Sequence, residues 1–194
     1  MLGDDTNLFI DTNIWIDYIW KNYMGEGENK KNNVIEKLDN INFKHFVILS
    51  PFLIAEISNH FADWFLLNKV IKSGYSYREF LVEKKNHFLS LDEKFKINEI
   101  IEKISSKSFV NTITVNEIKR PNLDLLFTLV NNQVGFFDSL HIMTAESTNC
   151  RYLITKDKEM RIRTQPLINN GIVSKNLKLI TQSGFINLLE NKQF

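Results

Sequence analysis

The chain has 194 residues, of which 43% are hydrophobic and 24% are charged, and its formal net charge is +1. This size suits a single domain over residues 1–194, while the composition excludes a disordered or membrane-spanning chain and the near-neutral charge excludes a surface that attracts nucleic acid everywhere. The single Cys150 excludes an internal disulfide and a cysteine-based zinc site, and the N-terminus has no secretion signal, so we expect a cytoplasmic protein.

The first predicted element is a buried strand over residues 8–10, which leads into Asp11-Thr12-Asn13. Three consecutive apolar residues are typical of a strand that is buried on both faces of a parallel sheet. Asp11 supplies a hard oxygen ligand for a divalent cation at this strand end, while Thr12 or Asn13 would cap a helix that begins at Ile14. A second interpretation stays open, in which all three polar residues only cap the helix.

The next predicted strand, over residues 46–49, is also followed by a helix start. Ser50-Pro51 places a serine at the cap and a proline at the first helical position. A short helix over 34–38 precedes this strand. The helix from Pro51 carries Glu56 less than two turns from its start, beside aromatic residues, and a charged side chain in such surroundings needs a partner.

The segment over about 69–120 is predicted to be a helical insertion. Ser76-Tyr77-Arg78-Glu79 and Ser90-Leu91-Asp92-Glu93 both fit the capping-box pattern that opens a helix. The apolar faces are assigned to Phe80, Leu81 and Phe88 in the first helix and to Phe95, Ile97, Ile100, Ile101 and Ile104 in the second. The segment is also a candidate surface for substrate or a partner through its basic residues Lys84, Lys85, Lys119 and Arg120.

The remaining predicted elements are a helix over 122–130, a helix from Asp138 to near Asn149, a strand over 152–155 that leads to Asp157, and a last strand over 177–180 with Thr181 capping the closing helix. Strands that alternate with helices predict an α/β fold, with a central, mostly parallel sheet and helices on both faces.

The carboxylates at the junctions of these strands and helices are Asp11, Glu56, Asp138 and Asp157. Right-handed strand-helix-strand units bring such junctions to one edge of a parallel sheet. Like charges gathered there repel one another unless a divalent cation lies among them, and carboxylate and water ligands suit Mg²⁺ or Mn²⁺. Taken singly, each acid is also consistent with a helix cap or a surface charge.

Other chemistries lack the residues that they need. A haloacid-dehalogenase-type phosphatase has a second acid two residues after the first, where this chain has Asn13. A response-regulator receiver has its acids beyond the first strand, whereas Asp4 and Asp5 lie before it. The sequence has no glycine-rich phosphate loop, no serine nucleophile elbow and no histidine pair with metal spacing. His141, one turn after Asp138, is interpreted as a packing or hydrogen-bonding residue.

The sequence resembles the PIN-domain nucleases, and among them the VapC-like toxins, in ordered blocks: Phe9-Ile-Asp-Thr-Asn13, Ile48-Leu-Ser-Pro-Phe-Leu-Ile-Ala-Glu-Ile57, Asp138-Ser-Leu-His-Ile-Met-Thr-Ala145 and Leu153-Ile-Thr-Lys-Asp-Lys-Glu-Met160. The resemblance implies a PIN-like three-layer fold and a ribonuclease that uses Mg²⁺ or Mn²⁺. It implies metal ligands and catalytic acids at Asp11, Glu56, Asp138 and Asp157, with products that carry a 5′-phosphate and a 3′-hydroxyl.

The auxiliary positions implied by the resemblance are Asn13 and Thr155, together with Glu159, which stands where many members have an Asp. Basic residues beside Asp157 are candidates for guiding the RNA backbone, although such a run is also typical of a solvated face: Lys156, Lys158, Arg161 and Arg163. The candidate partners are RNA, an antitoxin protein and a second copy of the chain in a homodimer. The alternative hypothesis is a catalytically weak PIN scaffold that binds RNA or docks a protein.

Overall fold

The structure is a computed structural model that describes residues 7–25, 33–41, 46–118 and 122–191. The strands in these ranges are β1 (Asn7–Ile10), β2 (Val47–Leu49), β3 (Val110–Thr112), β4 (Cys150–Ile154) and β5 (Lys178–Ile180). The helices are α1 (Thr12–Ile19), α2 (Val34–Asn40), α3 (Pro51–Lys72), α4 (Tyr77–Glu83), α5 (Leu91–Ser105), α6 (Leu123–Asn131), α7 (Phe136–Ser147), α8 (Lys158–Asn169) and α9 (Gln182–Glu190). A π-helical turn, Trp20–Met24, continues α1, and 3₁₀ turns lie at Lys84–Asn86 and Val115–Glu117.

The five strands pair in parallel in the order β3-β2-β1-β4-β5, so β1 is the central strand. Phe9 of β1 lies opposite Ile48 of β2 on one side and Leu153 of β4 on the other. Leu8, Phe9 and Ile10 are all buried, and successive side chains of a strand point to opposite faces. Helices therefore cover both faces of the sheet, and the predicted α/β class is confirmed. No helix in the described part of the chain is long and apolar enough to cross a membrane.

Helices that follow the strands begin with a side-chain cap at the carboxyl edge of the sheet: Asp11 before α1, Ser50 before α3, Asp157 before α8 and Thr181 before α9. The predicted Ser50-Pro51 start and the Thr181 cap are confirmed. The expectation that Thr12 or Asn13 caps a helix from Ile14 is wrong. Asp11 has extended backbone and accepts the N–H of Thr12 at 2.7 Å, so it takes the cap and the helix begins earlier.

The middle segment is joined to the rest of the fold. Both predicted capping boxes form, at Ser76 and Ser90. The hydrophobic core includes Ile97, Ile100 and Ile104 of α5, and β3 extends the sheet at one edge. Lys119 and Arg120 lie outside the described residues.

Three residues that were expected on the apolar faces of this segment, Leu81, Phe88 and Phe95, are instead exposed. In α4 only Phe80 is buried, where it packs with Leu66 and Val70 of α3. A seven-residue helix that lies against one neighbour buries a single row of side chains, so the other apolar residues of α4 face solvent.

Candidate active site

Asp11 lies at the carboxyl end of the central strand, and its side chain is buried. Its Oδ1 accepts the backbone N–H of Thr12 at 2.7 Å, and its Oδ2 accepts Nδ2 of Asn13 at 2.7 Å and the hydroxyl of Thr155 at 2.5 Å. Burial raises the pKa of Asp11, while His141, the Thr155 hydroxyl and the N–H of Thr12 oppose the rise. The pKa remains raised, so the charged carboxylate is stabilised less by its protein neighbours than it would be by water.

Thr155 connects the ends of neighbouring strands through one hydroxyl. That hydroxyl donates to Asp11 and accepts the backbone N–H of Asp157 at 2.9 Å, while the Thr155 N–H donates to the carbonyl of Ile180 at 3.0 Å. Asp157 caps α8, and its Oδ1 accepts the N–H of Met160 at 2.9 Å. The structure thus links three of the predicted site residues, Asp11, Thr155 and Asp157, in one chain of hydrogen bonds.

Asp138 lies half-buried in the first turn of α7. Burial, and then the charges of Asp11 and Asp157, raise the pKa of Asp138 to about 6. Because the neighbouring carboxylates contribute to this shift, Asp11 and Asp157 lie close enough to Asp138 for their charges to act on it. Gly135, the N-cap residue of α7, leaves room for the carboxylate, since a Cβ at this position would lie 2.8 Å from Oδ2 of Asp138.

Glu56, in the second turn of α3, is paired with groups of α1 and α7. Its Oε2 accepts the hydroxyl of Thr12 and lies 2.8 Å from Nε2 of His141. Burial alone would raise the pKa of Glu56, but the hydrogen bonds from His141 and Thr12 outweigh burial and hold the pKa below its usual value. The partner that the sequence required for Glu56 is therefore present, and Oε2 already has two protein neighbours.

His141 both packs and forms hydrogen bonds at the centre of this site. It is fully buried, its ring lies 5.2 Å from that of Phe9, and its Nε2 lies 4.0 Å from Oδ1 of Asp11. Its Nδ1 has no hydrogen-bond partner among the residues that the structure describes, so its polar contacts run through Nε2. The sequence signal was its position three residues after Asp138, which places both side chains on adjacent parts of one helix face. The contact with Glu56 joins distant parts of the chain and could not be read from that spacing.

The donor set suits an ion that keeps most of its water. In residues 7–25, 33–41, 46–118 and 122–191, no three acidic, histidine or cysteine side chains are placed to bind one ion directly. Mg²⁺ commonly uses only one or two carboxylates and retains several waters. The raised pKa values of Asp11 and Asp138 favour a nearby positive charge. Oδ1 of Asn13 is buried beside them with no partner in the described chain, so it could accept a hydrogen bond from a metal-bound water.

The predicted basic residues do not form one patch. Lys156 is paired with Asp17 of α1. Lys158, the first residue of α8, is exposed and has no acidic partner within the described ranges. Of these two lysines, Lys158 is therefore the one whose charge is available to a phosphate beside Asp157.

The two arginines of α8 point in different directions. Arg163 donates to Glu159 at 2.8 Å and to the backbone carbonyl of Gln133. Arg161 is two positions away, and this spacing places it on nearly the opposite side of the helix. The carboxylate of Glu159 is thus engaged by Arg163 on the helix surface, rather than by the groups that surround Asp11.

Comparisons with known proteins support the fold and the family. The PIN domain family model matches residues 8–163, and the chain therefore belongs to the PIN domain family, whose members are generally nucleases. Among solved structures, this chain is similar to a chain of the VapBC2 complex from Rickettsia felis, which was solved bound to a DNA fragment from its promoter. The TM-score is 0.50 and the sequence identity is 14%, and the alignment covers 91% of this chain and 98% of that chain. No curated protein sequence matches this chain.

Proposed function

We propose that this protein is a metal-dependent endoribonuclease in which Asp11, Asp138 and Asp157 hold Mg²⁺ or Mn²⁺ beside the scissile phosphate, partly through the ion's bound waters. The observation that carries the proposal is the chain of hydrogen bonds that joins Asp11 through Thr155 to Asp157 at the carboxyl edge of the sheet. The charges of both acids also act on Asp138, whose pKa burial and these charges raise to about 6. Carboxylates that raise one another's pKa values in a cleft are characteristic of functional sites. Membership of the PIN domain family supports the same reaction class.

Glu56, the remaining predicted ligand, would contribute through its other oxygen, Oε1, because Oε2 faces Thr12 and His141. A bound divalent ion would lower the pKa of a coordinated water and stabilise negative charge on the phosphate. The protein's own groups would fix the acids beforehand: Asn13 and Thr155 orient Asp11, and Thr155 also orients the turn that carries Asp157. Lys158 would contact the RNA backbone.

Cleavage of a mixed pool of single-stranded RNA, measured with Mn²⁺ and with EDTA, tests this proposal. We expect cleavage only with Mn²⁺, products that carry a 5′-phosphate, and a strong reduction of cleavage in Asp11→Asn. The same pool made as DNA, incubated in parallel, measures the preference for ribose. Cleavage that continues in EDTA would contradict the metal-dependent mechanism.

We also infer that the partner of this nuclease is a protein antitoxin. The supporting observation is the shared fold with a chain of the VapBC2 complex. Induced production of the wild type should arrest the growth of a bacterial host, whereas production of Asp11→Asn should not. If neither growth arrest nor RNA cleavage depends on Asp11, the alternative of a PIN scaffold that binds RNA or docks a protein gains support.

A further inference from the structure

Lys156 lies in a turn between two residues of the candidate site. Its neighbour Thr155 donates its hydroxyl to Oδ2 of Asp11 at 2.5 Å, and the N–H of its other neighbour, Asp157, donates to the same hydroxyl at 2.9 Å. The ammonium of Lys156 pairs with the carboxylate of Asp17, in the second turn of α1. This ion pair therefore connects the turn over 155–157 to the helix that Asp11 caps.

The turn over 155–157 is the point at which the chain leaves the sheet. The N–H of Asp11 donates to the carbonyl of Ile154 at 2.9 Å, and the N–H of Thr155 donates to the carbonyl of Ile180 at 3.0 Å. Backbone hydrogen bonds of the sheet thus fix the end of β4 and the first residue of the turn. The next two residues precede α8 and lie beyond this ladder, so their orientation depends on side-chain contacts.

Two side-chain contacts hold this turn against α1 and its cap. One is the hydrogen bond from Thr155 to Asp11, and the other is the ion pair between Lys156 and Asp17. Asp17 follows Asp11 by six residues, which corresponds to about 9 Å along a helix axis. A turn that is attached at one point can rotate about that point, whereas two attachments this far apart fix its orientation. Asp157 follows Lys156 directly, so its carboxylate is oriented by the same two attachments.

We propose that Lys156 and Asp17 are positioning residues that hold Asp157 in place relative to Asp11, so that both acids can serve one divalent ion. The proposal rests on the nuclease function proposed above and gives that site two residues that act through others. Each of the two side chains is 37% exposed, and an ion pair with that much exposure contributes little to the stability of a fold. Its effect is therefore expected on metal affinity rather than on folding.

A direct contact between Lys156 and the RNA backbone is the competing role, and the charge of Asp17 argues against it. This carboxylate already compensates the ammonium of Lys156, whereas Lys158 has no acidic partner within the described parts of the chain. A phosphate that displaced Asp17 would leave an unpaired carboxylate beside the arriving polyanion, and like charges repel. The two roles also make different predictions for the salt dependence of RNA binding.

The decisive protein is the double variant Asp17→Asn/Lys156→Met, because it removes the ion pair without changing the net charge. Loss of Asp17 alone would weaken Mn²⁺ binding through space, and loss of Lys156 alone would strengthen it, so these effects cancel in the double variant. The matched control is Lys37→Met/Glu190→Gln, which removes an exposed ion pair between α2 and α9. Lys156→Arg is the conservative variant, since a guanidinium also pairs with a carboxylate.

Titration with Mn²⁺ alone should show that the double variant binds the ion about 2- to 5-fold more weakly than the wild type, the range that one exposed ion pair permits. Lys156→Arg and the control should bind Mn²⁺ like the wild type. Thermal melts in EDTA should be nearly the same for all four proteins. In cleavage assays at saturating Mn²⁺, the kcat of the double variant should fall while its KM for RNA stays unchanged.

Binding of a short single-stranded RNA in EDTA, at several salt concentrations, tests the competing role. If Lys156 contacts a phosphate, Lys156→Met should lower the slope of log Kd against log salt by about 0.7, the value for one phosphate of a single strand. We expect an unchanged slope. A lowered slope, or a double variant that binds Mn²⁺ like the wild type, would overturn the positioning role.

The wild type separates failure of this proposal from failure of the nuclease function. If the wild type binds Mn²⁺ and cleaves RNA while the double variant matches it in both, only the positioning role is rejected. If the wild type neither binds Mn²⁺ nor cleaves RNA, the metal-dependent nuclease is rejected, and the positioning role falls with it.

Discussion

Nε2 of His141 lies 2.8 Å from Oε2 of Glu56, and the hydroxyl of Thr12 donates to the same oxygen. Three helices, α1, α3 and α7, therefore meet at one carboxylate oxygen close to Asp11. These hydrogen bonds outweigh burial and keep the pKa of Glu56 below its usual value, so they favour its ionised form in the folded protein. The relationship makes His141 a positioning residue for Glu56.

Replacement of His141 by leucine keeps the apolar volume and removes the donor to Glu56. A hydrogen bond to a charged group contributes about 1.5–3 kcal/mol, and we expect a loss of only about 1 kcal/mol because solvent screens this carboxylate. Groups that orient metal ligands typically affect activity by about 10- to 100-fold, and cleavage should fall in that range. His141→Gln retains an N–H donor and should recover part of the rate. Chemical denaturation and Mn²⁺-dependent cleavage measure the two effects, and equal rates for both variants would contradict the positioning role.

Asp11→Asn should reduce cleavage by more than about 100-fold, a larger effect than loss of a group that only orients a metal ligand. The amide oxygen can still accept Thr155 and Asn13, while the amide NH₂ would face the N–H of Thr12, so only one hydrogen bond is lost. The circular dichroism spectrum should therefore stay unchanged. Asp92→Asn is the matched control, since Asp92 is an exposed acid in the first turn of α5. A fully active, folded Asp11→Asn protein would end the metal-nuclease proposal.

The contribution of Asp138 to the stability of the metal-free protein should fall as pH rises from about 4 to about 6. The pKa of Asp138 is raised from 3.8 to about 6, so in this interval the folded state binds more protons than the unfolded state. Asp138→Asn removes this part of the pH dependence. At pH 7 in EDTA the variant should be more stable by about 1 kcal/mol, after allowance for partial solvent screening, which corresponds to roughly 2–4 °C for a chain of this size.

Manganese should reverse that ranking. An ion that binds only the folded protein stabilises it by about 2–3 kcal/mol at roughly one hundred times its Kd. Asp138→Asn has lost a proposed ligand and should gain less. Thermal melts of both proteins in EDTA and in Mn²⁺ provide the comparison. If Mn²⁺ does not change the melting temperature of the wild type, these acids do not share an ion.

Gly135→Ala should weaken Mn²⁺ binding without unfolding the protein. The backbone φ of Gly135 is −55°, which alanine adopts freely, but the added Cβ would lie 2.8 Å from Oδ2 of Asp138. The carboxylate must therefore turn away. Mn²⁺ titration of Gly135→Ala, of Asp138→Asn and of the double variant checks this, because the glycine effect should vanish when Asp138 is already absent. Additive losses would show that Gly135 acts on something else.

The middle segment should prove to be part of the core rather than a removable insertion. Ile104 of α5 is fully buried in the main hydrophobic core, so Ile104→Ala should cost about 2–5 kcal/mol. Leu81→Ala, in the exposed part of α4, should change stability by less than about 0.5 kcal/mol. Urea denaturation measures both. A small effect at Ile104 would favour the view that these helices only add a binding surface.

The elements that the sequence predicted well are those with strong local signals. β1 is a continuous apolar run, and the capping boxes at Ser76 and Ser90 satisfy helix N-terminal groups within a few residues. The strand β3 was missed because Val110-Asn-Thr is short, lies at the sheet edge and is mostly exposed, so it lacks an apolar pattern. Its identity as a strand depends on pairing with β2.

The candidate site was predictable in its residue types but not in its contacts. The position of Asp11 after a buried strand marked it as a site residue. The contact between His141 and Glu56 joins residues 85 positions apart, and no local pattern encodes it. Arg161 and Arg163 lie on nearly opposite sides of α8 because they are two positions apart in a helix. Their closeness in the sequence to Asp157 did not reveal this separation.

The link between Thr155 and Asp11 has a consequence for the timing of synthesis. The two residues are 144 positions apart, and a ribosome that adds about 5–20 residues per second needs roughly 7–30 seconds to make the second after the first. During that interval β1 lacks β4, and Asp11 lacks the hydroxyl that orients it. If the protein cleaves RNA, a chain still being translated thus has no assembled catalytic geometry until Thr155 has been made, so up to that point it cannot cleave the messenger that encodes it.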